Sequence, residues 1–255
     1  MSDVARQMVL CPHCHRTAYF NIWNSINTKT NPETYGQVRS LSLFRFCCPY
    51  CRQTSTIKYS FLYHQMESAL MIYFVPEEEE LEHAQKLLET VSAGTQQDDK
   101  ARIVTSTAPE DRLLENALAR YRYRIVRTHE EFLEKLAIFD SGLDDRIIEL
   151  AKVILSYEAE RQLSGYSFLV KSAFFTVNTE TKERKLVFLD KNSSRTATVS
   201  FDRYVANVYN QIIDQYRAVL EGPHKKDMVI DRNWASDILK KEEKPQAASD
   251  ASAPL

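Results

Sequence analysis

Over the first 75 residues, apolar and polar positions alternate in short runs rich in β-branched and aromatic side chains. Half-buried strands have this pattern. Within 18–26, Phe20, Ile22 and Asn24 alternate with Tyr19, Trp23 and Asn21, and similar runs predict strands over 38–46, 54–61 and 69–75. The turn-rich segment 28–36, with Asn31, Pro32 and Gly36, joins the first two. Pro76 ends the sheet, and the period lengthens: Leu81, Leu87, Leu88 and Val91 recur at helical spacing behind Glu77 to Glu80. Negative charge in a first turn suits the helix dipole. A polar run with Gly94 predicts an exposed loop over 92–100, and a second short helix is expected over 109–120.

The next elements carry clearer punctuation. Residues 123–127 read as a strand, and Thr128 with Glu131 three positions later forms a capping box. The helix it opens places Phe132, Leu133, Leu136 and Phe139 on one face, and Gly142 stops it. A second helix over 143–163 carries Ile147, Leu150, Ala151, Ile154 and Leu155, flanked by Ile148. Strands over 170–178, 186–189 and 196–201 follow. Asp202 is expected to cap a helix bearing Val205, Val208, Ile212, Tyr216 and Val219, which Gly222-Pro223 ends. Trp234 and Ile238 predict a last short helix, and the Pro-, Ala- and Ser-rich tail from Lys240 predicts disorder.

The fold class expected is therefore α+β: an N-terminal β-rich region, then helices and a small antiparallel sheet with a closing helix. The expected organisation is a domain over 9–150, an α+β region over 151–240 and a tail over 241–255. Within the first domain lie a β-region at 9–76, a helical segment at 77–120, and a strand with helices at 121–150.

Composition narrows the chemistry. The chain has 255 residues, net charge −2 and pI near 6.3, so no global charge demands a nucleic acid or a membrane. Up to Val75, Lys and Arg exceed Asp and Glu by four. No run approaches the ~20 apolar residues of a transmembrane helix, and the start lacks a signal peptide's apolar core. Only five glycines are present, leaving little material for phosphate-cradling loops, and no hydrolase elbow, His-Glu-x-x-His pair or dinucleotide fingerprint occurs.

The distinctive chemistry lies in Cys11-Pro12-His13-Cys14 and Cys48-Pro49-Tyr50-Cys51. Two intervening residues let a tight turn aim both sulfurs at one ion, and proline stiffens that turn. Cys11, Cys14, Cys48 and Cys51 together supply the four thiolates of a tetrahedral structural Zn²⁺ site. That centre would offset two of the four excess positive charges, leaving about +2 on this region. The gap between Cys14 and Cys48 requires a loop or an extra hairpin. His15 and Arg52 stand where glycine often follows such a turn, and His15 offers an alternative ligand or a solvated turn residue. Cys47, beside Cys48, is expected to be a small buried hydrophobe. The rival chemistry is thiol–disulfide exchange, which needs a cysteine at a helix N-terminus. Both pairs here are followed by strand-like runs. Cysteines clustered in pairs, odd in total, fit a reducing cytoplasm.

These paired motifs resemble the CpXC family, a bacterial and archaeal domain named for them. The resemblance continues in Leu43-Phe44-Arg45-Phe46, Leu62-Tyr63-His64-Gln65-Met66-Glu67, Met71-Ile72-Tyr73-Phe74-Val75-Pro76-Glu77 and 138–146. It covers roughly 10–150 and implies a zinc-ribbon-like domain, with no reaction attached. Asp144, Asp145 and Arg146 fall in its last motif; paired carboxylates can serve acid–base work, whereas Asp at a helix start caps free N–H groups. Arg146 is expected to pair with Glu149. The function expected is a non-enzymatic, zinc-held surface for another protein. Nucleic-acid binding through Tyr19, Trp23, Phe44, Phe46, Tyr59, Phe61 and Tyr63 is the second class, with core packing as those rings' other role. An enzyme, with redox chemistry at the cysteine pairs, is the third.

Overall fold

In the computed structural model of the chain, residues 2–92, 118 and 120–242 are described. The fold is α+β and divides into two units at Leu133/Glu134. Of the predicted helix over 109–120 only residues 118 and 120 are described, and most of the predicted loop over 92–100 lies outside the described residues. Of the tail expected to be disordered from Lys240, residues 240–242 instead end a helix and the rest lie outside the described residues.

The first unit is built on a five-stranded mixed sheet ordered β1-β2-β5-β6-β7. Its strands are β1 Asp3–Leu10, β2 Thr17–Asn27, β5 Phe61–Gln65, β6 Leu70–Phe74 and β7 Arg122–Val126. β2 meets β5 only through Ser25, Ile26 and Asn27, so the rest of the β1–β2 hairpin continues as a two-stranded ribbon. A short hairpin, β3 Arg45–Cys47 and β4 Thr54–Thr56, forms separately. Aromatic packing holds the centre. Phe61 stacks on Phe74 at 5.0 Å and on Phe44 at 4.8 Å between centroids, and Phe132 meets Phe61 edge-on at 5.3 Å. Such offset and edge-on pairs suit the ring quadrupole. Helix α2 (Leu81–Ser92), preceded by a 3₁₀ turn at Glu78–Glu80, buries Ala84 and Leu88.

Helix α3 (His129–Asp140) starts with the predicted capping box: the Glu131 N–H donates to Thr128 Oγ1 at 3.1 Å, and Glu131 Oε2 accepts from the Arg127 N–H at 2.8 Å. Gly142 ends it at φ +70°, as the Leu143 N–H reaches back to the Ile138 carbonyl at 3.1 Å.

The second unit packs helix α4 (Asp145–Gln162) against an antiparallel sheet ordered β10-β9-β8. Those strands are β8 Val170–Val177, β9 Arg184–Asp190 and β10 Thr196–Ser200. Helices α5 (Ala206–Glu221) and α6 (Arg232–Glu242) close it. Ile147, Ile148, Leu150 and Ala151 share a core with Phe175, Phe188, Ile212 and Ile238. Among the described residues no helix is long and apolar enough to cross a membrane.

Several expectations are corrected. The strand expected over 38–46 is instead helix α1 (Thr34–Arg39), a 3₁₀ turn at Ser42–Phe44 and the three-residue β3. Thr34 Oγ1 bonds the Asn31 carbonyl at 2.6 Å, and Leu41 turns left-handed at φ +55°, which breaks any extended alternation. The run 54–61 serves two sheets: its start pairs with β3, and Phe61 begins β5. β1 was not foreseen. Asp202 does not cap α5; a π-helical turn, Phe201–Val205, precedes that helix, and Asp202 pairs with Arg184.

Candidate metal centre

Each cysteine pair occupies the turn of a hairpin, Cys11 to Cys14 between β1 and β2, and Cys48 to Cys51 between β3 and β4. The two turns share one hydrogen-bond pattern. Cys11 N–H donates to the Arg16 carbonyl at 2.9 Å and its carbonyl accepts from His15 N–H at 3.0 Å. Cys48 repeats this with Gln53 at 3.0 Å and Arg52 at 2.9 Å. The fifth residue of each turn is left-handed, His15 at φ +56° and Arg52 at φ +59°. Glycine is the usual occupant of that conformation because it lacks a Cβ, so both turns hold strained, non-glycine residues in the same place.

The turns bring four sulfurs together. Cys11 Sγ lies 3.7 Å from Cys51 Sγ and Cys14 Sγ 3.6 Å from Cys48 Sγ, with all four within 4.8 Å of one another. Tetrahedral ligands at about 2.3 Å from one ion are separated by roughly 3.7 Å. A disulfide would need about 2.05 Å, and all five cysteines are free. Phe46, Phe20, Val9 and Ala18 pack around buried Cys11 and Cys48. The N–H of Cys51 pulls the Cys48 thiol down to about 6, aided by that of Tyr50 and opposed by burial. Cys51 is pushed up to about 12: the Gln53 N–H lowers it, but burial and the neighbouring thiols outweigh that. Once one thiolate forms, the next is resisted by its charge; a cation bound among the four removes that resistance. The donor set therefore fits a metal ion.

Neither pair opens a helix. β2 follows the first and β4 the second, which is not the setting that activates a redox cysteine. His15 is exposed and outside the sulfur cluster. Cys47 is exposed, not buried as expected: the two-stranded β3–β4 hairpin turns one face to solvent, and Cys47 lies on it.

A family model described as CpXC protein matches residues 9–152. The chain belongs to the CpXC family. No curated protein and no solved structure is matched. The sulfur cluster lies wholly within the matched stretch.

The other candidate residues separate by role. Asp144 caps α4, accepting from the Arg146 N–H at 2.9 Å, and its carboxylate also holds the Arg146 guanidinium at 2.7 Å. Arg146 pairs there and not with Glu149, because its guanidinium also reaches the Leu220 carbonyl at 2.7 Å. Asp145 points inward, fully buried, and pairs with Lys135 Nζ at 3.0 Å. Lys135 also contacts Glu149 at 3.4 Å and donates to the Ile230 carbonyl at 2.7 Å. Lys152 bridges Glu149 and Glu134, both at 2.9 Å, and Glu134 accepts from the Phe175 N–H at 2.5 Å. This lattice was missed, since Lys and Glu on a helix read as surface residues. Burial would lower the Lys152 amine, yet Glu149 and Glu134 raise it; burial raises the Glu134 carboxyl against the pull of Lys152. Every member has an oppositely charged partner, which marks a structural lattice.

Of the rings weighed for base stacking, Phe44, Phe46, Phe61 and Tyr63 are buried, Trp23 and Tyr59 half-buried, and Tyr19 exposed. His64 bonds Tyr121 Oη through Nε2 at 2.8 Å. His129 lies flat on Phe74 at 4.7 Å with Nε2 buried and unpartnered.

Proposed function

We propose that the first unit is a structural-zinc ribbon whose surface docks another protein, without chemistry of its own, in a reducing compartment such as the cytoplasm. The convergence of four sulfurs from two matching hairpin turns supports this most strongly. Four thiolates close a tetrahedral zinc shell and leave no open position for substrate or water. Sulfur-only tetrahedral donors suit zinc or iron, and zinc adds no redox chemistry. The free thiols are consistent with a reducing setting.

A second reading, single-stranded nucleic acid, draws on two exposed tyrosines beneath arginines. Arg6 lies 4.7 Å from the Tyr19 centroid and Arg16 5.4 Å from that of Tyr50. Its mark would be binding that weakens steeply with salt.

The test pairs metal analysis with turnover. Purified full-length protein should carry about one zinc per chain, reduce no disulfide substrate, and retain protein partners only while zinc is bound. Stoichiometric metal with catalytic thiol–disulfide exchange, or partners retained equally by the zinc-free Cys11→Ser/Cys48→Ser chain, would overturn the docking reading.

A further inference from the structure

Resting on the docking reading, we propose that β1 is the docking edge, and that its occupant is an extended segment of another protein, alternating acidic and apolar residues, which adds a strand beside it. The first observation is the edge itself. β1 ends the sheet order and pairs only with β2 among the described strands, so along its eight residues alternate backbone N–H and C=O groups point away from β2. Natural edges of this length are usually blunted by proline, inward charges or a covering loop. Here the edge holds no proline, and its one bulge lies at the extreme end, between Asp3 and Val4.

The second observation is the face that such a strand would share. Val4, Arg6, Met8 and Leu10 stand opposite Trp23, Asn21, Tyr19 and Thr17. Met8 is 66% exposed, Tyr19 61%, Leu10 58% and Val4 48%, a concentration of open apolar surface on one face of one hairpin. The opposite face, through Val9, Ala18 and Phe20, is spent on the metal centre's own core. Apolar knobs at every second residue match an extended peptide, whose side chains repeat with period two.

The third observation is charge. Apart from Asp3 at the start of β1, the ribbon and the second cysteine hairpin, residues 4–24 and 45–60, contain no Asp or Glu. They carry Arg6, Arg16, Arg45, Arg52 and Lys58, all exposed and none ion-paired with a described carboxylate. An acidic strand complements that rim. A second copy of the chain would press one predominantly cationic surface against another. Nucleic acid fits the charge but not the face: Val4, Met8 and Leu10 offer no ring to a base, and the guanidiniums of Arg6 and Arg16 already cover Tyr19 and Tyr50.

The experiment presents zinc-loaded, full-length protein to a phage library of random peptides about ten residues long, one strand's length. Selected peptides should alternate Asp or Glu with Val, Ile or Leu, and the best should slow amide exchange along β1. Met8→Glu and, separately, Arg6→Glu should weaken binding by about tenfold or more, with zinc content and thermal unfolding unchanged. Because both side chains are exposed, two independent variants guard against misfolding. Selection of basic or patternless peptides, no selection, protection elsewhere than β1, tighter binding of a single-stranded oligonucleotide competing for the same amides, or self-association through β1 would each overturn the inference. If the Met8→Glu chain keeps zinc-dependent protein partners, the β1 edge is wrong while the docking reading stands.

Discussion

In the first unit the buried ionisable groups concentrate in four sulfurs, two of them buried and two half-buried, that no cation among the described residues approaches within bonding distance; in the second, buried charge belongs to Glu134, Lys135, Asp145, Glu149 and Lys152, each within reach of an oppositely charged neighbour. Both solve the same difficulty, since an isolated buried charge costs more than folding can spare. They differ in what closes the account. The lattice carries its own counter-ions on α3 and α4, so it is complete as translated. On the proposed reading, the sulfur cluster is complete only with an ion from outside. Folding of the first unit should therefore depend on metal supply, and that of the second should not.

Chelation gives the largest separation. Stripping the metal, or Cys48→Ser, should make residues 2–75 protease-sensitive while cleavage within 134–242 stays slow. Structural zinc supplies on the order of 10 kcal/mol of folding free energy in small domains. Limited proteolysis with mass mapping reads this directly, and equal loss of protection in both units would break the comparison.

The second unit's counterpart is Lys152→Met. It leaves Glu134 and Glu149 buried with reduced compensation and should cost about 3–5 kcal/mol, whereas replacing the whole lattice with apolar residues of similar volume should be near neutral. Chemical denaturation of the full chain, followed by probes in α4, measures both. A mild effect of Lys152→Met alone would mean that the carboxylates simply take up protons.

Acid should sharpen the contrast in two steps. Burial holds the His129 imidazole below its usual value, so its unfolded form binds the proton first. Stability from this group is full above about pH 6.5, the ordinary histidine value, and falls as pH drops below it toward the folded value. His129→Phe should remove that acid limb from the first unit and, by deleting an unpartnered buried nitrogen, add about 1 kcal/mol. Asp190 is lowered by the opposite cause and loses its contribution at lower pH: hydrogen bonds from Ser193, Arg195 and the Leu169 and Asn192 N–H groups hold its carboxyl far below the usual range. Its contribution survives at mild acidity and is lost only as pH falls below about 3.8. Unit-resolved amide exchange between pH 7 and 4 should show the first unit weakening before the second.

The smallest expected effect is at the α4 cap. Asp144→Ala should cost about 1 kcal/mol in thermal unfolding. Asp144→Asn should cost less, because Asn keeps the cap while giving up the charge that holds Arg146. Equal large losses would mean that the ion pair, not the cap, dominates.

What was legible follows from the range of each interaction. The cysteine turns, the Thr128–Glu131 box and the Gly142 stop are each decided within about six residues, and all three stand as read. The α4 stripe and the three-stranded sheet were legible from periodicity. Residues 38–46 misled because Val38 is buried on a helix and Phe44 on a 3₁₀ turn, at spacings that also suit a strand. β1 escaped because both of its faces carry apolar side chains, which blurs the alternation. The lattice depends on α3 meeting α4, and no local pattern announces that Lys135 meets Asp145 or that Lys152 meets Glu134 across that junction.

X-ray absorption at the zinc edge of the purified full-length chain tests the central claim most directly. The account predicts about one zinc per chain with four sulfur neighbours at about 2.3 Å. A shell containing nitrogen or oxygen, iron in place of zinc, or a metal-free chain with sulfurs joined at about 2.05 Å would contradict it.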